Sequence, residues 1–227
     1  MEVPLLDLKA QYATIKDQVM AAVAEVLDSQ VCIGGPKVLE LEQKIAAASD
    51  CKFGVGVSSG TDALLNCLMS LEIGPGDEVI TTPFTYIAPA ESIHQVGAKI
   101  VFADIHPRTF NIDPDGARRA RTPRTKAVIA VHLLGGPCDM NPIMEIARKH
   151  KLAVLEDCAQ CAGGRYHGKY VGTIGDIGIN SFQLSKTITA GDGGMAETLR
   201  ALHAVEDAGA CAAELGIPFS DPIADGP

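Results

Sequence analysis

Apolar residues at Ile15, Val19, Ala22, Val23 and Val26 recur three and four apart, a spacing that predicts a helix over residues 8–29. The stretch "IGGPKV" reads as a loop, and residues 38–48 as a second helix. The rhythm then changes to short apolar runs separated by helical stretches. Strands are expected at 53–57 ("FGVGV"), 77–82 ("DEVITT"), 98–104, 126–131, 152–157 ("LAVLED") and 176–182. Helices are expected at "SSGTDALLNCLMSL", at "YIAPAESIHQVG", over 113–120 and over 141–150, where Pro142 suits a first turn. Strand–helix alternation with buried apolar runs implies an α/β fold, a mainly parallel sheet between helices. In such sheets ligands sit at the carboxyl ends of the strands, so the residues just after each strand carry the functional question.

Composition narrows the classes. A length of 227 residues allows one large domain or two small ones, and 47% hydrophobic residues allow a large core. There is no internal repeat and no low-complexity tract. A net charge of −9 argues against a nucleic-acid partner. No apolar run approaches the roughly 20 residues of a membrane helix. The start "MEVPLLDLKAQY" lacks the pattern of a secretory signal. Seven cysteines, an odd number, then read as reduced thiols of a cytoplasmic protein.

Several strand ends carry polar chemistry. Strand 53–57 runs into Ser58-Ser59-Gly60-Thr61 at a helix start, where N–H groups and the helix dipole suit a phosphate. Alone, those hydroxyls would be a helix cap. Phe84 and Tyr86 follow strand 77–82, and packing is their default reading. Strand 152–157 ends in Glu156-Asp157, acids that could hold a cation or merely cap a loop. Cys158-x-x-Cys161 has no second pair and the six histidines have no ligand spacing, so no metal site is expected. Lys186 lies four residues beyond the strand end at Ser181-Phe182-Gln183. Together an anion site, an aromatic, an acid and a lysine on one sheet edge fit a phosphorylated pyridine-like ring bearing an aldehyde: pyridoxal 5'-phosphate (PLP). The helix start would take the phosphate and Tyr86 would stack on the ring. Asp157 would pair with the ring nitrogen and Lys186 would condense with the aldehyde.

The stretches "SSGTDAL", "DEVITTPFTYIAPAESI", "VHLLGGPCDM" and "VLEDCAQCAGGRYHGKYVGTIGDIGINSFQLSKTITAGDGG" resemble the DegT/DnrJ/StrS-type sugar aminotransferases, fold-type-I PLP enzymes, over about residues 3–195. The resemblance implies that Lys186 binds the cofactor covalently and moves the substrate proton. It implies that Asp157 is the pyridinium partner and that Gln160 bonds the ring hydroxyl. Gly60, Thr61 and Ser181 would hold the phosphate, and Tyr86 would be the stacking aromatic. It further implies a homodimer, a keto-sugar substrate (nucleotide-linked or cyclitol), and glutamate or glutamine as amino donor. Gln183 stands where a histidine is commoner, a variant seen in members acting on cyclitol ketones. In the family the lysine lies mid-chain, followed by the last strands of the large domain and a small domain. A chain with about forty residues after Lys186 is therefore expected to be truncated, short of its last strands and poorly active.

The tail "AETLRALHAVEDAGACAAELGIPFSDPIADGP" resembles a different protein, the alpha subunit of tryptophan synthase. Glu214 and Asp225 match that family's acid/base pair. Residues 189–192, "TAGD", suit either family. The expected division is an incomplete PLP-binding large domain at 1–195 and a β/α-barrel fragment at 196–227, too short to close a barrel. Two other readings compete with the aminotransferase: a lyase fragment of the tryptophan synthase alpha type, and a non-catalytic PLP-binding protein.

Overall fold

The computed structural model describes residues 7–191 and 193–198. Glu214, Asp225 and all but the first three residues of the expected tail domain lie outside the described residues. The chain begins with two helices, α1 (Leu8–Ser29) and α2 (Pro36–Ala48). Alternating elements follow: β1 (Phe53–Val57), α3 (Gly60–Ser70), β2 (Glu78–Thr81), α4 (Ala88–Gln95), β3 (Lys99–Phe102), α5 (Pro114–Ala120), β4 (Thr125–Val131), α6 (Met140–His150) and β5 (Ala153–Asp157). A small hairpin, β6 (Arg165–Tyr166) and β7 (Lys169–Tyr170), precedes β8 (Ile177–Ser181) and β9 (Gly194–Thr198).

Seven strands form one sheet in the order β1-β9-β8-β5-β4-β2-β3. β3, β2, β4, β5 and β8 run parallel, and β9 runs antiparallel to both its neighbours. The α/β class and the mainly parallel sheet agree with the sequence pattern. Both faces are covered, which is why these strands read as continuous apolar runs. Alternate residues serve opposite cores. Val79, Ala127, Ile129 and Leu155 pack with Leu64, Leu68 and Ile93 of α3 and α4. Ile80, Val128, Ala130 and Val154 pack with Ala117, Ile143 and Ile146 of α5 and α6.

The sheet corrects one expectation: it is not left open after Lys186. β9 fills the position between β1 and β8, pairing Phe53 with Thr198 through Val57 with Gly194 on one side, and Ile177 with Thr198 through Ser181 with Gly194 on the other. The strand runs across residues 195–196, and the Met195 and Ala196 side chains are fully buried. Gly194 is required by close approach, since a Cβ there would sit 2.3 Å from the Ser59 carbonyl oxygen.

Asp7 caps α1 by accepting the Ala10 N–H at 2.9 Å. The apolar positions that betray this helix lie largely in solvent, with Tyr12, Ile15, Val19 and Leu27 all exposed. α6 ends with Arg148 and Lys149 in its last turn, cations that suit its C-terminal dipole, before a left-handed Lys151. Cys158 and Cys161 are buried with Val171, and Tyr166 of the hairpin packs against them. Burial pushes the Cys161 thiol pKa up, the opposite of an activated thiol. Among the described residues no group of three or more His, Cys, Asp or Glu side chains could hold a metal ion. No described helix is long and apolar enough to cross a membrane.

Candidate active site

β1 delivers the chain to a capped helix start. The Ser59 hydroxyl accepts the Asp62 N–H at 3.0 Å, and its carbonyl accepts the Ala63 N–H at 3.0 Å. The Asp62 carboxylate accepts hydroxyl hydrogen bonds from Ser58 and Ser59. The N–H groups of Gly60 and Thr61 precede any intrahelical acceptor and remain available to an anion. Gly60 lets β8 approach: a Cβ there would lie 2.9 Å from Ser181 Cβ and 3.3 Å from its Oγ. The Ser181 hydroxyl is thereby brought beside the first turn of α3.

Asp157 ends β5 and is buried, its Oδ1 accepting the Ala159 N–H at 3.0 Å. Burial pushes its pKa up, opposed by that N–H and by the charges of His132 and Lys186. A cation placed beside this carboxylate would offset the cost of its burial. Gln160 accepts the Leu134 N–H through Oε1 at 3.2 Å. A backbone N–H can only donate, so the Gln160 Nε2 is left as a donor. Lys186 is half-buried at the end of a turn in which its N–H donates to the Gln183 carbonyl at 2.9 Å.

All seven expected site residues, Gly60, Thr61, Tyr86, Asp157, Gln160, Ser181 and Lys186, line one cavity of about 480 Å³. Phe84 is exposed and stacks instead on Phe110, with ring centroids 5.9 Å apart. Ser59, part of the helix-start anion site read from the sequence, also lines the cavity, as do Thr85 and Ser185, which the sequence reading did not single out although both lie beside strand ends.

The sequence reading also missed a buried polar pair behind the site. His132 and Glu156 are both fully buried, and their side chains meet at 3.0 Å through Nε2 and Oε2. The Cys138 N–H donates to His132 Nδ1 at 2.9 Å, so Nε2 carries the proton that bonds Glu156. Glu156 Oε1 accepts the N–H groups of Ile174 at 2.7 Å and Gly175 at 2.6 Å. Burial alone would raise the Glu156 pKa, but the His132 bond and the backbone donors outweigh it and hold it low. The adjacent acids Glu156 and Asp157 thus have separate surroundings, one saturated with donors and one facing the cavity.

The donor set fits PLP. A helix start into which Gly60 admits Ser181 suits the phosphate, the buried Asp157 suits a protonated ring nitrogen, and Lys186 shares the cavity.

Comparison with known proteins gives the family. The model of the DegT/DnrJ/EryC1/StrS aminotransferase family matches residues 13–200. The tryptophan synthase alpha chain model matches residues 180–227, a span that begins within β8 and includes β9. A UDP-N-acetyl-3-dehydro-alpha-D-glucosamine 3-aminotransferase of Acidithiobacillus ferrooxidans is 48% identical over 197 residues, covering 86% of this chain and 53% of that protein. A pleiotropic regulatory protein of Geobacillus stearothermophilus is 49% identical over 196 residues, covering 86% and 53%. The crystal structure of S. venezuelae DesV with a ketimine intermediate superposes with a TM-score of 0.85 at 40% identity, covering 90% of this chain and 55% of that one. The chain therefore spans about half the length of the curated relatives it matches. On the family match and these identities, the chain belongs to the DegT/DnrJ/EryC1/StrS aminotransferase family.

Proposed function

We propose that this chain carries the cofactor-binding half of a PLP-dependent sugar aminotransferase. The observation that carries the reading is the meeting of the α3 start, the buried Asp157 and Lys186 in one cavity. Gly60, Thr61 and Ser181 would hold the phosphate, Tyr86 would cover the ring, and Gln160 would donate to the ring hydroxyl through Nε2. When bound, PLP supplies an electron sink for the carbon that loses its proton. Asp157 keeps the proton on the ring nitrogen. Lys186 Nζ holds the cofactor in place and moves the proton at the substrate carbon. The substrate class is a nucleotide-linked or cyclitol keto-sugar, with glutamate or glutamine as amino donor, in a cytoplasmic homodimer.

The test is direct. Protein mixed with PLP should gain a visible absorbance band that borohydride abolishes, and peptide mapping should place the reduced label on Lys186. Label on another lysine, or no band, refutes the assignment. The short span bears on turnover. The exposed side chain of Tyr86 lines the cavity, and exposed Leu134 lines a neighbouring one that shares Ala159, Gln160, Ser185 and Lys186 with it. Residues 1–227 by themselves are expected to bind cofactor yet turn over slowly, because the cavity they form stands open to solvent and leaves orientation and water exclusion incomplete. A chimera in which the residues beyond 198 are replaced by a full-length relative's second half should be faster. Equal turnover would remove this part of the proposal.

A second reading, a PLP-binding protein that senses rather than transforms, is favoured by the relative named as a pleiotropic regulatory protein. Amino transfer by the chimera separates the two. The lyase reading draws on a match whose first part is built into the aminotransferase sheet as β8 and β9.

A further inference from the structure

We propose that Gln183 is the positioning residue of Lys186, acting as a side-chain clamp on the turn that presents it. The proposal rests on the aminotransferase reading for its catalytic meaning, though the clamp itself is tested without cofactor. β8 stops at Ser181, and within five residues the chain must bring Lys186 to the cavity. The turn is closed twice by one residue. The Gln183 carbonyl accepts the Lys186 N–H at 2.9 Å. Its side-chain Oε1 accepts both the Ser185 N–H at 2.8 Å and the Ser185 hydroxyl at 2.6 Å.

Among the described residues the other ties on this turn are backbone ones at Gln183, whose N–H donates to Ser181 Oγ at 3.5 Å. Gln183, Leu184 and Ser185 are exposed, and Leu184 buries no anchor, at 66% exposure. The backbone of Gln183 forms an isolated bridge with Gly191, in the segment that leads to β9, which gives the clamp a backbone contact of its own. A lysine has four side-chain torsions, and a wandering backbone would add to the volume its amine samples. Because the Ser185 N–H can only donate, Oε1 must face it, and Nε2 has no protein partner among the described residues. The residue therefore acts through its acceptor oxygen, which decides the test: glutamate keeps that acceptor and leucine does not.

Three full-length chains are compared, the parent, Gln183→Leu and Gln183→Glu. Amide hydrogen exchange is read at Ser185 and Lys186, with Ile179 of the buried β8 as internal control for folding. Lys186 reactivity is read by reductive methylation with formaldehyde, normalised to Lys169 on the distant hairpin. Gln183→Leu is expected to speed exchange at the turn about tenfold and to change the relative methylation of Lys186 at least threefold. Gln183→Glu should restore turn protection. In PLP-treated protein, the pH midpoint of the visible band should shift in Gln183→Leu. Unchanged exchange in Gln183→Leu overturns the proposal. So does faster exchange with unchanged Lys186 reactivity, since the clamp would then hold a turn without positioning the lysine. A parent chain that gains no band with PLP refutes the proposed function, and the exchange and methylation results still decide on Gln183.

Discussion

Replacing His132 with phenylalanine keeps a ring in the same buried space and removes both polar nitrogens. Two groups lose partners. Glu156 Oε2 loses the donor at 3.0 Å, and the Cys138 N–H loses its acceptor at 2.9 Å. Neither can turn to water, because His132 and Glu156 are fully buried and so is Cys138. Because the ring is neutral in this tautomer, what Glu156 loses is a hydrogen bond to a charged acceptor, about 1.5–3 kcal/mol, and the orphaned buried amide costs about 1–3 kcal/mol. Glu156 keeps the Ile174 and Gly175 donors, so the carboxylate cost belongs at the low end. A loss of about 3 kcal/mol is expected, a large part of the roughly 5–15 kcal/mol of a typical domain. Urea unfolding at pH 7 measures it. The sign of the pH dependence adds a second check. The parent's Glu156 has a lowered pKa, so its contribution is present above the ordinary carboxylate range and lost as pH falls through the folded value. In the variant the carboxyl takes up a proton at a higher pH, which relieves the cost, so the gap from the parent should narrow as the buffer is made acidic. A loss under about 1 kcal/mol, or a gap independent of pH, would refute the reasoning.

Three further outcomes follow from the same geometry. Gly60→Ala places a Cβ 2.9 Å from Ser181, so α3 and β8 must part by several tenths of an ångström; a stability loss of about 1–3 kcal/mol and weaker PLP binding by equilibrium dialysis are expected. Asp157→Asn removes a buried acid whose pKa is raised, chiefly by burial. Such a group favours folding below the ordinary carboxylate range and weighs against it as pH rises through the raised value, so the variant should gain thermal stability near neutral pH, not in acid, while losing amino transfer. Glu78 is held down to about 2 by the Thr122 hydroxyl and by Arg124, with Lys99 adding to them, so its support is full above the ordinary range and lost as pH falls towards about 2; Glu78→Gln should flatten the acid side of the stability profile in urea.

The site was legible because each of its residues follows a strand end, and strand ends were readable as apolar runs buried on both faces. The cavity that joins Gly60, Tyr86, Asp157 and Lys186 needed only the rule that parallel sheets bind ligands at one edge. β9 was not legible as the strand that completes the sheet. "GGMAE" is short and begins with two glycines, which local pattern reads as loop. The second of them, Gly194, answers to the approach of Ser59, a contact made over a hundred residues back along the chain. The hairpin at "RYHGKY" could have been read. His167 and Gly168 both take positive φ, 48° and 84°, as a tight hairpin turn demands, with His-Gly in the place of the usual Asn-Gly. Nothing local couples His132 to Glu156, 24 residues apart, the one just past the end of β4 and the other in β5. Only the parallel register of β4 and β5 brings them together.

The place of β9 sets an order of assembly during synthesis. β1 is made early, yet its one strand partner in the sheet is β9, and Phe53 waits for Thr198. Until residues 194–198 leave the ribosome, β1 stands apart from the growing parallel sheet with its hydrogen-bonding edge unclaimed. β8 shares that wait on one side, since β9 is the wedge between the two. The wedge also sets the spacing at which the start of α3 meets Ser181. The ligand cavity is therefore expected to take shape only after residues 194–198 are in place, and a small molecule that fits it stabilises the states in which β9 has joined the sheet.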